Sequence, residues 1–216
     1  MAVSTLPTGS VTTIHQQFYE AELPAITLED IDLASLTRRS IADLLATLSP
    51  GTGVGVAASY GKKRVLKALA FSTESRVLLI TMNAASRRAK PQKRILRDKL
   101  LCHASLEKHG FSMERLAAGL YLDLGLRIRH AFDIVSAGDN RGSIAAYKTL
   151  LAQARGGYSL NEPVFKSIFA EQPFIESRTT EFALRAWASH IAVQASSDKP
   201  GAIDTIVRSD GVRPTY

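Results

Sequence analysis

Cysteine is almost absent from this sequence, and the spacing of histidines typical of a zinc site is missing. Cys102 is the only cysteine among 216 residues, so the chain has neither an internal disulfide nor a zinc-binding cysteine cluster. A reducing compartment is the simpler expectation. His103, His109, His130 and His190 show no i, i+4 pair, which favours surface or polar-core roles over metal ligation.

Long apolar runs are also missing. No stretch approaches the roughly 20 apolar residues that cross a bilayer. Residues 1–13 lack both the basic and the apolar part of a secretory signal. The sequence therefore predicts a soluble intracellular protein, nuclear or cytoplasmic, with no membrane partner.

Carboxylates are absent from a central part of the chain. None occurs between Asp43 and Glu74. Hard divalent cations require oxygen ligands, preferably charged ones. This segment therefore supplies no carboxylate to a metal site.

Basic residues, by contrast, are abundant and clustered. The formal net charge is +7 and the pI is about 9.7, which favours acidic partners such as nucleic acid. Seven cations and a single acid, Asp98, fall within residues 87–99, and a smaller cluster precedes them. The cations are Lys62, Lys63 and Arg64, then Arg87, Arg88, Lys90, Lys93, Arg94, Arg97 and Lys99.

The run at 87–99 has two interpretations. It is suited to contact a phosphate backbone, and it is equally typical of a solvated helix face with its preceding loop. Aromatic residues that stack on single-stranded bases are scarce near it, with Tyr60 the nearest candidate.

Apolar periodicity predicts an alternating series of elements. A helix is expected at 37–48, strands at 53–59, 64–71 and 76–82, and a helix from Pro91. A short strand near 108–111, a helix at 112–124, a strand at 128–135 and helices at 143–154 and 179–195 follow. The predicted organisation is an N-terminal arm at 1–25, one domain at 26–196 and a tail at 197–216.

Three stretches in this order carry a family resemblance. They are VLKALAFSTESRVLLITM (65–82), FSMERLAAGLYLDLGLRIRHAFDIVSA (111–137) and TTEFALRAWASHIAV (179–193). They resemble the second and third strands, a helix with its following strand, and the final helix of the RNase D-like (DEDD) 3′-5′ exonuclease domain of the RNase H-like superfamily. The resemblance implies an α/β fold whose mixed sheet has three antiparallel strands, then parallel strands, with flanking helices.

The same resemblance implies a degenerate catalytic site. Two-metal nucleases hold two ions roughly 3.5–4 Å apart with acidic side chains. The matching positions here are Ala57, Ser59, Ser112 and Ala186, none of them acidic. Asp133 matches an acidic residue of the family that is not a metal ligand. The sequence therefore predicts a pseudo-nuclease with no catalytic residue, bound metal or cofactor.

Other candidate sites are weak. Ser59 has no neighbouring base for a nucleophile's role. The glycine-rich Gly51–Gly55 lacks the Lys-Ser/Thr ending of a P-loop. Trp187, at helical spacing with Leu184 and Ile191, fits core packing better than base stacking.

The expected function is nucleic-acid binding, with RNA preferred to DNA, by an inactive exonuclease-like adaptor. The alternative is a protein-interaction scaffold in an RNA-processing or gene-silencing complex without direct nucleic-acid binding. The residues predicted to contact nucleic acid are Lys62, Lys63, Arg64, Arg87, Arg88, Lys90, Lys93, Arg94 and Arg97.

Overall fold

The computed structural model describes residues 9–15, 17, 19–21, 23–134, 148, 151–152, 154, 158–170, 178–197 and 206–208. The strands are β1 (Ser10–Ile14), β2 (Ile26–Asp32), β3 (Val54–Tyr60), β4 (Leu66–Ser72), β5 (Arg76–Thr81), β6 (Lys108–Gly110), β7 (Ala131–Ile134) and β8 (Ile206–Arg208). The helices with full bounds are α1 (Arg38–Leu45), α2 (Lys90–Leu96), α3 (Met113–Leu124), α4 (Glu162–Phe169) and α5 (Thr179–Ser197).

One mixed sheet organises the described residues. Its strand order is β1-β2-β5-β4-β3-β6-β7-β8. β3, β4 and β5 are antiparallel neighbours, whereas β6 runs parallel to β3 and β7 runs parallel to β6. The predicted fold class, three antiparallel strands followed by parallel strands with flanking helices, is confirmed.

Side chains alternate between the two faces of the sheet along each strand. Apolar side chains therefore project from both faces, and helices cover both. Ala57, Ala70 and Leu79 point toward the core that contains α5, and we call this side the α5 face. Val56 and Leu69 point toward a second core, formed with α1, α2 and α3, on the opposite face. The central strands are covered on both sides, which explains why they read as continuous apolar runs.

β1 and β2 extend the sheet beyond the predicted strands. β2 runs parallel to β5, and β1 runs antiparallel to β2. β2 lacks a clear strand signal because it carries acids, of which Glu29 is paired with Arg76 at 2.6 Å. β1 lies within residues 1–25 and β8 within residues 197–216. The division into arm, domain and tail stays a prediction.

The helices largely follow the sequence pattern, with one addition. α4 was not expected, although Asn161 accepts a hydrogen bond from the backbone N–H of Val164 and a proline occupies its first turn. The helix predicted at 143–154 lies mostly outside the described residues, and its four described residues are helical. No helix within the described ranges has the length and apolar content needed to cross a membrane.

Candidate nucleic-acid interface

Ala57, Ser59, Ser112 and Ala186 match the positions of the metal-binding acids in the RNase D-like family, and we call them the family acid positions. Three of them lie on β3 or α5. The alternation of β3 turns Ala57 and Ser59 toward the α5 face, and Ala186 is on α5 itself. Ala57 is 4% exposed and Ala186 is 0% exposed, and both belong to the same apolar core. The structure thus brings three of the four positions to one side of the sheet.

The backbone of α5 comes very close to β3 at this point. A Cβ atom on Gly55 would overlap the carbonyl oxygen of Ala186 and lie 2.5 Å from the backbone nitrogen of His190. Glycine is therefore required for the observed packing. Ala57 and Ala186 lie inside a close-packed apolar core, where an unpaired carboxylate is strongly disfavoured.

Aromatic side chains fill the same core. Phe111, which follows β6, meets Phe169 of α4 edge to face, with 5.2 Å between ring centroids. Phe165 and Phe182 are buried in the same cluster. The surroundings of Ala57 and Ala186 are apolar as a result.

The fourth position, Ser112, has a different environment. It is exposed, in the left-handed region at φ 60°, directly before α3. The Asp133 carboxylate accepts hydrogen bonds from the backbone N–H groups of Ser112 (3.1 Å) and Met113 (2.8 Å). Burial raises the pKa of Asp133, and these two hydrogen bonds oppose that shift. Asp133 therefore caps α3, a structural role.

Two buried histidines lie close to this part of the α5 face. His190 Nδ1 is 2.9 Å from the carbonyl oxygen of Gly53, and the ring of His109 stacks on Phe132 at 5.3 Å. Burial, with help from His190 and Lys108, lowers the pKa of His109 to about 4. Within the described part of the chain, no group of three or more His, Cys, Asp or Glu side chains is arranged to hold a metal ion.

One hydrogen bond links the two segments that carry the basic clusters. We call Lys62, Lys63 and Arg64 the hairpin cations, because they form the turn between β3 and β4. The guanidinium of Arg87 donates a hydrogen bond to the carbonyl oxygen of Leu66, two residues after Arg64. A long-range contact therefore joins two clusters that are more than twenty residues apart in sequence.

The remaining cations follow Arg87 into α2. We call Arg87, Arg88, Lys90, Lys93, Arg94 and Arg97 the helix cations, and both sets together the basic surface. Lys93 Nζ donates to the carbonyl oxygen of Leu124 at 3.1 Å, so this side chain also ties α2 to α3. Arg94 and Arg97 flank Asp98 at 3.5 Å and 2.7 Å. Arg88 and Lys90 are exposed.

Tyr60 is not a free stacking platform. Its hydroxyl donates to the backbone oxygen of Arg115 at 2.8 Å, and the Arg115 guanidinium lies 4.8 Å from the ring centroid. Burial raises the pKa of Tyr60 to about 12. Arg115 adds a cation beside the hairpin that sequence proximity did not reveal. The sequence could have indicated this residue, because Arg115 occupies an exposed position on the amphipathic helix α3.

Comparison with solved structures identifies this architecture. Trypanosoma brucei RNase D in complex with GMP matches with a TM-score of 0.50 and 11% sequence identity, over 81% of this chain and 58% of that chain. The chain has the fold of an RNase D exonuclease domain. At this identity the likeness concerns the fold alone.

Two further solved structures match with TM-scores below 0.50. RNase D of the same organism in a second structure gives a TM-score of 0.49 at 11% identity, over 81% of this chain and 66% of that one. The EXD2 exonuclease domain soaked in Mg gives 0.43 at 16% identity, over 84% and 99%. The chain spans less than two thirds of the RNase D chains. No protein-family model and no curated protein matches its sequence.

Within this RNase D-like fold, α2 with its cations and three of the family acid positions, Ala57, Ser59 and Ala186, lie on opposite faces of the sheet. α2 packs through Leu96 into the core of α1 and α3, whereas Ala57 and Ala186 belong to the α5 core. The helix cations therefore do not surround the family's catalytic position. Sequence proximity alone gave no indication of this separation.

Proposed function

We propose that this chain is an inactive exonuclease-like domain that binds nucleic acid through its basic surface and acts as an adaptor. The observation that carries this proposal is the hydrogen bond from Arg87 to the carbonyl oxygen of Leu66. It links the segment that begins the helix cations to the first residue of β4, two residues after the hairpin cations. Clustered cations bind phosphates and release counterions, which makes the affinity salt-dependent.

The absence of hydrolysis is proposed because of what occupies the family acid positions. Two-metal chemistry needs the complete set of carboxylates. Ala57 and Ala186 lie in a close-packed apolar core, and Ser59 beside them carries no charge. Glu114 and Glu181 are near the family motifs in sequence. Glu181 is already paired with Arg178 and accepts a hydrogen bond from Ser167.

The preference for RNA over DNA is part of the same proposal. It rests on the resemblance to RNase D, a ribonuclease. Comparing labelled RNA and DNA strands of the same sequence and length tests this preference directly. Tighter DNA binding would reject the preference and leave nucleic-acid binding itself intact.

Fluorescence anisotropy with a labelled oligonucleotide across a salt series tests the binding. The double variant Arg88→Gln/Lys90→Gln removes two exposed charges that are outside the structural contacts of Arg87 and Lys93. Its matched control, Lys148→Gln/Lys166→Gln, removes two charges that pair with Glu162 near α4. We expect weaker binding and a shallower salt dependence for the first variant only, by about 0.7–0.9 in log–log slope per lost phosphate contact.

Two results would reject this role. One is no binding at low salt. The other is unchanged affinity after reversal of the charges of Arg94 and Arg97.

A second candidate function is the protein-interaction scaffold. It is favoured by the exposed surface of α3, where Tyr121 is 45% and Leu122 is 79% exposed. Contiguous exposed apolar patches are typical of surfaces that contact another protein. Co-purification with wild-type protein but not with Leu122→Asp would support this function, and recovery of the same partners by both would count against this surface.

A further inference from the structure

β1 forms one edge of the sheet. Ser10–Ile14 pairs with β2 over five residues, from Ser10 opposite Asp30 to Ile14 opposite Ile26. Ile14 is buried in the core, so the strand is anchored at its end. Among the described residues, no strand pairs with its outer edge. Within the described part of the chain, this edge therefore presents backbone groups with which another strand can pair.

Nothing in the strand itself opposes such pairing. Natural edge strands usually carry lysine, proline or a bulge that prevents contact with a second chain. The sequence of β1 is SVTTI, without charge or proline, and its register with β2 is regular. The first four residues are exposed, with Val11 at 63%. Three of the five residues are β-branched Val or Thr and a fourth is Ile, all with high strand propensity.

We propose that β1 pairs antiparallel with β1 of a second copy of this chain, around a twofold axis that passes through Thr12. This places Thr12 opposite itself, Val11 opposite Thr13, and Ser10 opposite Ile14 of the other copy. β-branched pairs and Thr–Thr pairs stabilise antiparallel strands. The two sheets then continue into one.

A second copy suits this edge for reasons of charge and symmetry. The strand is uncharged, so self-pairing brings no like charges into direct opposition. The nearest acid in register with Val11 is Glu29, which is already paired with Arg76. An isologous contact around a twofold axis uses the same patch on both copies, so the assembly is complete as a dimer.

The contact is small, which determines how it must be measured. Five residues on each side bury less than the roughly 1,200 Å² of a standard stable interface. The dimer is therefore concentration-dependent. Sedimentation velocity over a wide range of protein concentration, without nucleic acid, is the appropriate measurement.

Substitutions at Thr12 distinguish this pairing from other contacts. Because Thr12 faces its own copy, Thr12→Lys or Thr12→Glu alone should abolish the dimer, while a mixture of the two should restore it. The side chain is exposed, so the fold tolerates both. Thr12→Val keeps the strand propensity and the neutral edge, and should remain dimeric.

Disulfide trapping tests the register independently. Thr12→Cys should cross-link to its own copy under mild oxidation, since directly opposite Cβ atoms lie about 4.5–5.5 Å apart. Ser10→Cys is the matched control, because its two copies would be offset by four residues, about 13 Å along the strand. Cys102, partly buried, is replaced by serine in both.

Sedimentation of a single-copy mass at every concentration would overturn the proposal. A dimer unaffected by Thr12→Lys would overturn it equally, by placing the contact elsewhere. Neither result bears on nucleic-acid binding, which is measured separately.

Discussion

At the residue scale, His109 is a buried group whose protonation opposes folding. It is 2% exposed, and its Nε2 lies 3.3 Å from a carboxylate oxygen of Glu107. Its pKa is lowered from 6.5 to about 4, first by burial and then by His190 and Lys108. The folded chain therefore keeps this ring neutral where the unfolded chain protonates it.

Stability should consequently fall as the pH decreases from about 6.5 to about 4. In this window the unfolded state binds more protons than the folded state. The difference between the two pKa values of His109 corresponds to roughly 3 kcal/mol of unfolding free energy. Urea unfolding at a series of pH values checks it. His109→Leu should flatten the dependence, while the exposed His15→Gln should not. An equally steep dependence in His109→Leu would assign the effect to other groups.

The family acid positions give a second prediction at this scale. Ala57→Asp and Ala186→Asp each place a carboxylate in the α5 core, so each should lower the free energy of unfolding by about 3–5 kcal/mol. Ser112→Asp adds the same group at an exposed position, where the cost should be about 1 kcal/mol or less. Denaturant unfolding measures all three. Equal stability of the buried and exposed variants would contradict the packing described for this core.

At the element scale, the approach of α5 to β3 depends on Gly55. Gly55→Ala should destabilise the chain by about 1–3 kcal/mol, because its Cβ would meet helix backbone that cannot move aside. Gly61→Ala is the matched control. Its Cβ would lie 3.1 Å from the flexible side chain of Lys67. Thermal unfolding should separate the two variants, and equal melting temperatures would show that α5 has room to shift.

The helices and strands differ in how well the sequence pattern predicts them. The buried central strands and α3 were predictable because their apolar residues repeat with a clear period. β2 was not, since Glu29 and Asp32 resemble loop residues until Arg76 and Asn83 are seen to bind them. Local periodicity carries no information on such long-range partners. α4, with its Asn161 cap and early proline, was signalled in the sequence and missed.

At the scale of the whole molecule, the cations were predictable and their arrangement was not. Their clustering is visible in the sequence, but the contact from Arg87 to Leu66 arises only in the folded chain, where the segment before α2 reaches the first residue of β4. Likewise, the four family acid positions could be read from motifs. Only the fold shows that three of them, Ala57, Ser59 and Ala186, lie on the face opposite the helix cations. The helix cations, which belong to the proposed nucleic-acid-binding surface, are thus spatially separate from these three positions.

That separation leads to the most direct test of binding without hydrolysis. A labelled RNA strand is incubated with the protein and magnesium or manganese, and both complex formation and strand length are followed over time. The account predicts a salt-sensitive complex, weakened by Arg88→Gln/Lys90→Gln but not by Lys148→Gln/Lys166→Gln, with the strand intact throughout. Shortening of the strand that a chelator abolishes would contradict it.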